Sequence, residues 1–500
     1  MCCAVQGIAG VPVTVEADIT TGLPGFTIVG LTDRAIQEAR ERVRAAVRNS
    51  GLDFPLRKLT VNLAPAELPK EGTGFDLAIA AAVLVCGGRP LRLRGTALLG
   101  ELALDGGLRP VAGVLPMARC LRAAGVRRLV VPAGNAAEAC LVDGLEVVTP
   151  ACLRACVEHL DGTAPLPPAV PSPLPPDEPS GADLADIRGQ PTAKRALEIA
   201  AAGGHNLLMV GPPGSGKTML ARAFASLLPD LTVEESLEVA AVYSLRRALR
   251  ERPATCLRPP FRAPHHSISR AGLVGGGCGL AQPGEISLAH RGVLFLDELC
   301  EFSRSHLEAL RQPLEERVVT VVRARGAVAF PASFALLAAA NPCPCGHLDD
   351  SARSCSCDPR ALAAYRGRLS GPVRDRIDLV VRVPRQPCRS LFDGPPEEAS
   401  AAVRERVEAA RARQRRRREA AQTAVALNAL LDARAVLHAC QPTPAALRLL
   451  GAAGERLALS ARGVHRVLRV ARSAADLAGC DRVDERAVAE ALRHRDEAGG

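Results

Sequence analysis

The densest chemistry in this 500-residue chain lies in Gly211, Pro212, Pro213, Gly214, Ser215, Gly216, Lys217 and Thr218. The run satisfies G-x-x-x-x-G-K-[ST] at every fixed position. Its glycines let successive backbone N–H groups face inward as an anion nest, and a helix N-terminus behind them adds positive partial charge. Lys217 is spaced to reach the β- and γ-phosphates of ATP, and the Thr218 hydroxyl to coordinate Mg²⁺. Further on, the apolar run Val293–Leu296 ends in two carboxylates. Asp297 stands where an aspartate would hold Mg²⁺ through water, and Glu298 where a base would polarise the attacking water. An apolar run ending in acids is common, and it gains meaning here from its pairing with the loop.

For these groups to meet, the chain must supply parallel strands that end side by side. Asn206–Val210 reads as a buried strand and Gly216–Leu228 as a helix, the strand–loop–helix context that the phosphate motif requires. Further buried strands are expected at Val293–Leu296 and Phe334–Ala340, and a helix over Ala193–Ala202. The first third alternates strands (Val11–Ile19, Phe26–Gly30, Lys58–Leu63, Arg128–Val131) with helices. Thr32 is expected to cap a helix over Asp33–Arg48, Phe75–Cys86 is a buried helix, and another helix starts at Val114. Leu98–Val111, with its Asp105-Gly106-Gly107 turn, reads as a hairpin. Thr163–Ser180 is dense in proline and reads as a semi-rigid linker. The last part is helical: Glu397–Arg418, Pro444–Leu457, Ala461–Leu477 and Glu485–Arg493. The fold class is α/β, divided as an N-terminal domain 1–162, a linker 163–182, an ATPase domain 183–392 and a C-terminal helical lid 393–500.

Composition excludes other classes. The apolar stretches Leu77–Cys86 and Phe334–Ala340 fall short of the ~20 residues that a bilayer span needs. No charged-then-apolar leader is seen, so no membrane partner is expected. Seventeen cysteines scattered without a secreted-scaffold pattern fit reduced thiols in a cytoplasm. The formal charge of +10 is compatible with an anionic partner. Of 63 basic residues only Lys58, Lys70, Lys194 and Lys217 are lysine, so arginine runs carry little information and a retained lysine carries more.

Five runs resemble a known family: Phe261-Arg-Ala-Pro-His-His-Ser267, Gly284-Glu-Ile-Ser-Leu-Ala-His290, Asn341-Pro-Cys-Pro-Cys-Gly346, Ser370-Gly-Pro-Val-Arg-Asp-Arg-Ile-Asp378, and Ser460-Ala-Arg-Gly-Val-His-Arg466 leading into Val470-Ala-Arg. With the phosphate loop they closely resemble the Mg-chelatase-like AAA+ ATPases of the ComM/YifB family, the competence-associated proteins, over nearly the whole chain. The resemblance implies a hexameric ATPase with a Lon-protease-like N-terminal domain. It also implies DNA helicase and branch-migration activity in support of natural transformation. It assigns Asn341 as the polar sensor between the acids and the γ-phosphate, and Arg376 as an arginine finger acting on the neighbouring subunit, with Arg374 as a close alternative. It assigns Arg462 as the second sensor, from the helical lid, and the segment Asp186-Ile187-Arg-Gly-Gln190 to the adenine. A magnesium-chelatase-like motor that remodels a protein or metallocofactor complex is the alternative.

Pro69-Lys-Glu-Gly-Thr-Gly-Phe-Asp76 and Gly100-Glu-Leu-Ala-Leu-Asp-Gly-Gly-Leu-Arg-Pro110 carry the Lon resemblance. Where Lon-type proteases place their serine and lysine, this chain has Gly74 and Leu115. A Ser–Lys dyad needs a nucleophile and a base in contact. Thr73 and Lys70 are nearby but displaced, so an inactive docking or assembly domain is expected.

Cys343-Pro-Cys345 and Cys355-Ser-Cys357 leave nine residues between the pairs. Four thiolates could surround Zn²⁺ at ~2.3 Å; four free thiols in a loop is the other possibility. His265, His266 and His290 lack acidic or cysteine partners at ligand spacing, and hydrogen-bonding roles are expected. For DNA, Arg317–Phe330 alternates like a hairpin with Arg323-Ala-Arg325-Gly326 at its tip; the resemblance implies that this hairpin points into a hexamer pore, where a basic tip tracks phosphates rather than bases. The insert Pro260–Gly279 is a second pore candidate. The run Arg411–Arg418 is expected to be a solvated helix face.

Overall fold

The computed structural model describes residues 1–30, 34–68, 70–170, 182–246, 256–277, 281–323, 326–348, 350, 353–368, 371–386, 397–422 and 427–495. The expected cap Thr32, together with Asp33, lies outside these residues, as do 171–181 of the proline-rich segment, Ser370, the end of the second pore candidate and the hairpin tip at Ala324–Arg325.

The first third builds two small sheets. Strands β1 (Cys2–Gln6), β2 (Ala9–Thr20), β3 (Gly25–Val29) and β4 (Lys58–Ala64) lie in the order β1-β2-β4-β3, with β3 parallel to β4 and the other pairs antiparallel. Helix α1 (Arg34–Asn49) follows β3, and α2 (Asp76–Cys86) follows β4. The sequence of α2 is apolar almost all round, and eight of its residues are buried. Strand β5 (Thr96–Leu98) precedes the antiparallel pair β6 (Glu101–Leu102) and β7 (Leu108–Arg109), which straddles the Asp105-Gly106-Gly107 turn. After α3 (Val114–Ala123), β8 (Arg128–Val130) and β9 (Glu146–Val148) run parallel with β5, and α4 (Leu153–Asp161) closes the unit. Residues beyond α4 still hold to this unit: Leu166 N–H donates to His159 Nδ1 at 2.9 Å and Ala169 N–H to Val147 O at 2.7 Å.

The middle region is a parallel sheet covered on both faces. Helix α5 (Pro191–Gly203) leads into β10 (Leu207–Val210), then α6 (Lys217–Leu227) and α7 (Val233–Leu245). Strand β11 (Phe261–Arg262), the short pair β12 (Gly275–Gly276) and β13 (Gln282–Pro283), and β14 (Val293–Leu296) follow. Next come the hairpin β15 (Val318–Arg323) and β16 (Gly326–Pro331), β17 (Ala335–Ala340) and β18 (Leu379–Arg382). The main sheet has the order β11-β14-β17-β10-β18, and every pair in it is parallel. Strands buried on both faces read as unbroken apolar runs. The period of two then divides their side chains. Leu207, Met209, Phe295, Leu337 and Ala339 face α5, α6 and the C-terminal helices, whereas Leu208, Leu294, Leu296, Leu336 and Ala338 face the hairpin and the helix Arg304–Ala309.

The C-terminal helices are α8 (Ser400–Ala421), α9 (Ala433–Cys440), α10 (Pro444–Arg456), α11 (Ala461–Leu477) and α12 (Glu485–Arg493). Val403 and Val407 of α8 and Val467, Leu468 and Val470 of α11 join the core of the parallel sheet. The arginine run on α8 corrects the expectation of a solvated face. Arg411 donates to Ala201 O at 2.7 Å, Arg413 pairs with Asp481, and Arg417 pairs with buried Asp476 at 2.8 Å. The helix is therefore anchored from two sides, Arg413 and Arg417 sharing one face, four residues apart, and Arg411 lying on another. Arg415, Arg416 and Arg418 are exposed.

The N-terminal unit rests on the middle region. Leu115 of α3 is fully buried and packs on Ala240 and Ala241 of α7. Ser244 at the end of α7 accepts from Gly113 N–H at 3.1 Å and donates to Glu138 at 2.6 Å. The turn between β1 and β2 meets the hairpin: a Cβ on Gly7 would lie 2.9 Å from Ala329 O.

Candidate nucleotide site

Parallel strands carry their carboxyl ends to one edge, and three of them end in the singled-out residues. β10 opens into Gly211, β14 into Asp297 and β17 into Asn341. Because β17 lies between β14 and β10, Asn341 stands between the acids and the loop. Its Oδ1 accepts from Lys217 Nζ at 3.4 Å.

Gly214 and Gly216 hold φ of 76° and 91° with open space where a Cβ would point, the left-handed backbone that turns N–H groups into one concavity. Lys217 begins α6; its ammonium is buried and donates to Gly211 O at 2.7 Å and Pro212 O at 2.9 Å. Burial lowers its pKa, opposed by the nearby charges of Asp297 and Glu298. The Thr218 hydroxyl donates to Asp297 Oδ2 at 2.8 Å. Two hard oxygen donors are thus brought together, a donor set suited to Mg²⁺. Ile187 is buried behind this edge, and Gln190 Nε2 donates to Ser215 O at 3.4 Å and to Pro384 O at 2.6 Å. The segment Asp186–Gln190 therefore touches the phosphate loop directly.

Glu298 is held in left-handed backbone, φ 51°, an uncommon setting for a side chain of this kind that aims it out of the strand line. His266 Nδ1 lies 3.3 Å from Glu298 Oε2. The sequence alone did not find this contact. Strand β11 is two residues long, too short to show alternation, yet its register pairs Phe261 with Val293 and so carries His266 level with Glu298. His266 also packs against His265, with ring centroids 4.0 Å apart and the planes tilted by 35°. His265 Nδ1 lies 2.8 Å from Ser267 Oγ, and His290 Nδ1 accepts from Ser333 N–H at 3.1 Å, so both have hydrogen-bonding partners.

The two arginines stand elsewhere. Arg376 precedes β18 at the amino ends of the strands, where its carbonyl accepts from Asn206 Nδ2 at 2.8 Å and its guanidinium pairs with Glu315 at 2.5 Å. Arg462, exposed in the first turn of α11, adds to the field that lowers the Glu315 pKa, after the larger effect of Arg376. Arg466, one turn on, donates to Ile377 O at 3.1 Å. The structure thus groups Arg462 with Arg376 rather than with the phosphate loop of its own chain. Arg374 is exposed on the same segment.

The Sγ atoms of Cys343, Cys345, Cys355 and Cys357 lie within 4.8 Å of one another. In the insert, Arg262 is tied to Glu285 at 2.6 Å, with Arg246 on the same carboxylate at 2.8 Å. Arg323 ends β15 opposite Gly326, and Arg325 lies outside the described residues. In the N-terminal unit, Thr73 Oγ1 donates to Glu101 at 2.5 Å while buried Lys70 donates to Pro65 O. Each has its own partner, and Gly74 and Leu115 supply no nucleophile or base.

A parallel sheet with a phosphate loop, two strand-end acids and a strand-end asparagine defines a P-loop domain of the Mg-chelatase-like AAA+ type. Family models agree: magnesium chelatase, subunit ChlI, matches residues 183–391, with further ChlI models over 15–135 and, for the ChlI C-terminal part, 397–495. The chain belongs to the ComM/YifB family of these proteins. It is 44% identical to YifB of Escherichia coli and 43% identical to competence protein ComM of Haemophilus influenzae, each over 98% of this chain and 96% of the relative. An uncharacterized Mycobacterium tuberculosis protein, Rv2897c, is 47% identical over 98% of this chain and 97% of its own. Lon protease 1 of Thermus thermophilus is 30% identical over 151 residues, 27% of this chain and 18% of that protease. Among the described residues no helix is long and apolar enough to cross a membrane.

Proposed function

We propose that this chain is an ATP-dependent DNA translocase that branch-migrates DNA as a homo-hexamer in the cytoplasm, in support of DNA integration during natural transformation. The single observation that carries the ATPase part is the meeting of Lys217, Thr218, Asp297, Glu298 and Asn341 at one sheet edge. Lys217 and the N–H groups of Gly211–Thr218 bind the triphosphate, with Ile187 beside the adenine. Thr218 and Asp297 would hold Mg²⁺, which when bound supplies positive charge to the β- and γ-phosphates. Glu298 takes a proton from the attacking water, His266 holds its carboxylate in reserve, and Asn341 senses the γ-phosphate. Arg376 and Arg462 act on the site of the adjoining subunit, which makes a ring necessary for turnover.

The Haemophilus relative is competence protein ComM, and that likeness supports the DNA part. The hairpin β15–β16 supports it too: it leads directly into β17 and Asn341, so a shift at the γ-phosphate is transmitted to its tip. All the described cysteines are free thiols, in keeping with a reducing compartment. The division into an inactive domain 1–162, a linker 163–182, an ATPase domain 183–392 and a lid 393–500 belongs to this proposal. The ChlI family models favour a second reading, a motor that remodels a protein or metallocofactor complex. ATPase rates with and without single-stranded and forked DNA separate the two. Stimulation by DNA supports the translocase, and a rate indifferent to every DNA tested favours the remodelling motor.

A further inference from the structure

The loop that follows the Asn341 strand folds back so that four thiols meet at a point. Cys343 Sγ lies 3.3 Å from Cys345 Sγ, Cys345 lies 3.6 Å from Cys355, and Cys355 lies 3.7 Å from Cys343. A disulfide needs sulfurs ~2.05 Å apart, whereas a tetrahedral Zn–S distance of ~2.3 Å sets sulfurs about 3.8 Å apart. The separations match the second geometry. Backbone N–H groups are aimed at the sulfurs, from Leu348 to Cys343 at 3.3 Å and from Cys357 to Cys355 at 3.5 Å. Such donors stabilise thiolate charge around a metal. Cys343 is fully buried and the other three thiols are half-buried.

This knuckle touches the nucleotide site. Gly346, at φ 81°, lies so close to the phosphate loop that a Cβ there would stand 2.7 Å from Pro213 Cδ. Arg385 donates to Pro213 O at 3.4 Å and pairs with Asp350 at 3.6 Å, and Asp350 pairs with His347 at 3.2 Å. At the entrance of the loop, Asn341 contacts Lys217. At its exit, Asp358 caps the helix Pro359–Gly367 through Ala361 N–H.

We propose that Cys343, Cys345, Cys355 and Cys357 bind one Zn²⁺, and that the metal-clamped knuckle is the wall that holds Pro213 and the phosphate loop in the shape that receives ATP. Zn²⁺ displaces the thiol protons to solvent and closes a loop that would otherwise join Asn341 to the following helix as free chain, whose ordering entropy the site would then have to meet. Nucleotide affinity therefore depends on the metal although no thiolate touches the nucleotide. The coupling rests on the assignment of Gly211–Thr218 as the ATP loop; the metal site does not.

The test uses the full chain purified without chelators. Elemental analysis should give about one zinc per chain, and Co²⁺ substitution should give the intense thiolate charge-transfer bands of a four-sulfur site. Release of the zinc by a mercurial, or the Cys355→Ser/Cys357→Ser pair, should weaken binding of a fluorescent ATP analogue at least tenfold. Gly346→Ala should do the same with zinc retained, a control for the cysteine variants failing to fold. Absence of zinc together with failure to take up Co²⁺ overturns the site. Zinc present, with nucleotide affinity unchanged by its removal and by Gly346→Ala, overturns the coupling. A wild-type chain that binds Co²⁺ in four-sulfur form but no ATP overturns the nucleotide assignment instead.

Discussion

The placement of Arg376 can be tested by complementation. Its carbonyl is bonded to Asn206, at the amino end of β10, while the phosphate loop leaves the carboxyl end. Four residues of strand separate them, roughly 13 Å at ~3.3 Å per residue. An arginine side chain is shorter than that, so Arg376 cannot reach a phosphate in its own loop. Its partner Glu315 is more than half exposed, and a pair of that kind holds only ~0–1 kcal/mol, so a neighbour's phosphate can displace it. Loss of an arginine finger costs about 10³–10⁵ in turnover, or about 4–7 kcal/mol. Arg376→Ala should therefore bind ATP and hardly hydrolyse it, and Lys217→Ala should not bind ATP at all. In a ring formed from equal amounts of both, an interface works when one subunit supplies Lys217 and its neighbour supplies Arg376. Random mixing makes that about one interface in four. Two inactive proteins should thus regain on the order of a quarter of wild-type turnover, read as phosphate release, with mixed rings confirmed by native mass spectrometry. Confirmed mixed rings without turnover would show that Arg376 does not act across subunits.

Glu298→Gln should retain ATP binding, hydrolyse it about 10²–10⁴ times more slowly and accumulate ATP-bound rings; full activity in phosphate release would sink the assigned base. Arg323→Ala with Arg325→Ala should leave basal ATPase largely intact and remove DNA stimulation and strand displacement. Neutralising exposed Arg415, Arg416 and Arg418 should do less, and the reverse outcome would move the DNA path to α8. Residual DNA binding in either case should fall steeply with salt and vary little with sequence. The last prediction concerns Glu138 at the contact with α7. Burial pushes its carboxyl up to about 7 from 4.5, against hydrogen bonds from Ser244, Asn135 and Leu115 N–H. The folded chain binds this proton more tightly than the unfolded one, so the contribution is complete below pH 4.5 and is lost as pH rises through about 7. It amounts to at most about 3 kcal/mol. Melting curves of wild type and Glu138→Gln should therefore diverge between pH 5 and 8, and parallel curves would refute the assignment.

The nucleotide edge was legible because its signals are local. A glycine run before a helix, an apolar strand ending in acids and an asparagine ending another strand each declare themselves within a few residues, and parallel pairing does the rest. The helices Ala461–Leu477 and Glu485–Arg493 were read to the residue, since Ser460 and Asp484 cap them through Gly463 and Ala487 N–H. Contacts set by register or by tertiary packing were not legible. His266 reaches Glu298 through a two-residue strand, and Glu315 meets Arg376 across sixty intervening residues of fold. Arg411 and Arg417 looked solvated because their partners, Ala201 O and Asp476, are remote in sequence. Arginine-rich composition hides such anchors, since a structural guanidinium and an idle one look alike in a string.

Position 115 shows what the contact between the N-terminal unit and α7 requires. The residue there is a leucine, fully buried against Ala240 and Ala241 of α7. A lysine ammonium at that point would be stripped of water, and the carboxylate of Glu138 nearby is already engaged by Ser244 and Asn135, so the ammonium would shift its pKa or open the contact. Leucine instead closes an apolar contact with Ala240 and Ala241, while Val5, Ile8 and Val328 pack on the neighbouring core beneath the hairpin. Leu115 is thus the knob of an interface. Through that interface the N-terminal unit braces both α7 and the root of the hairpin that leads into Asn341.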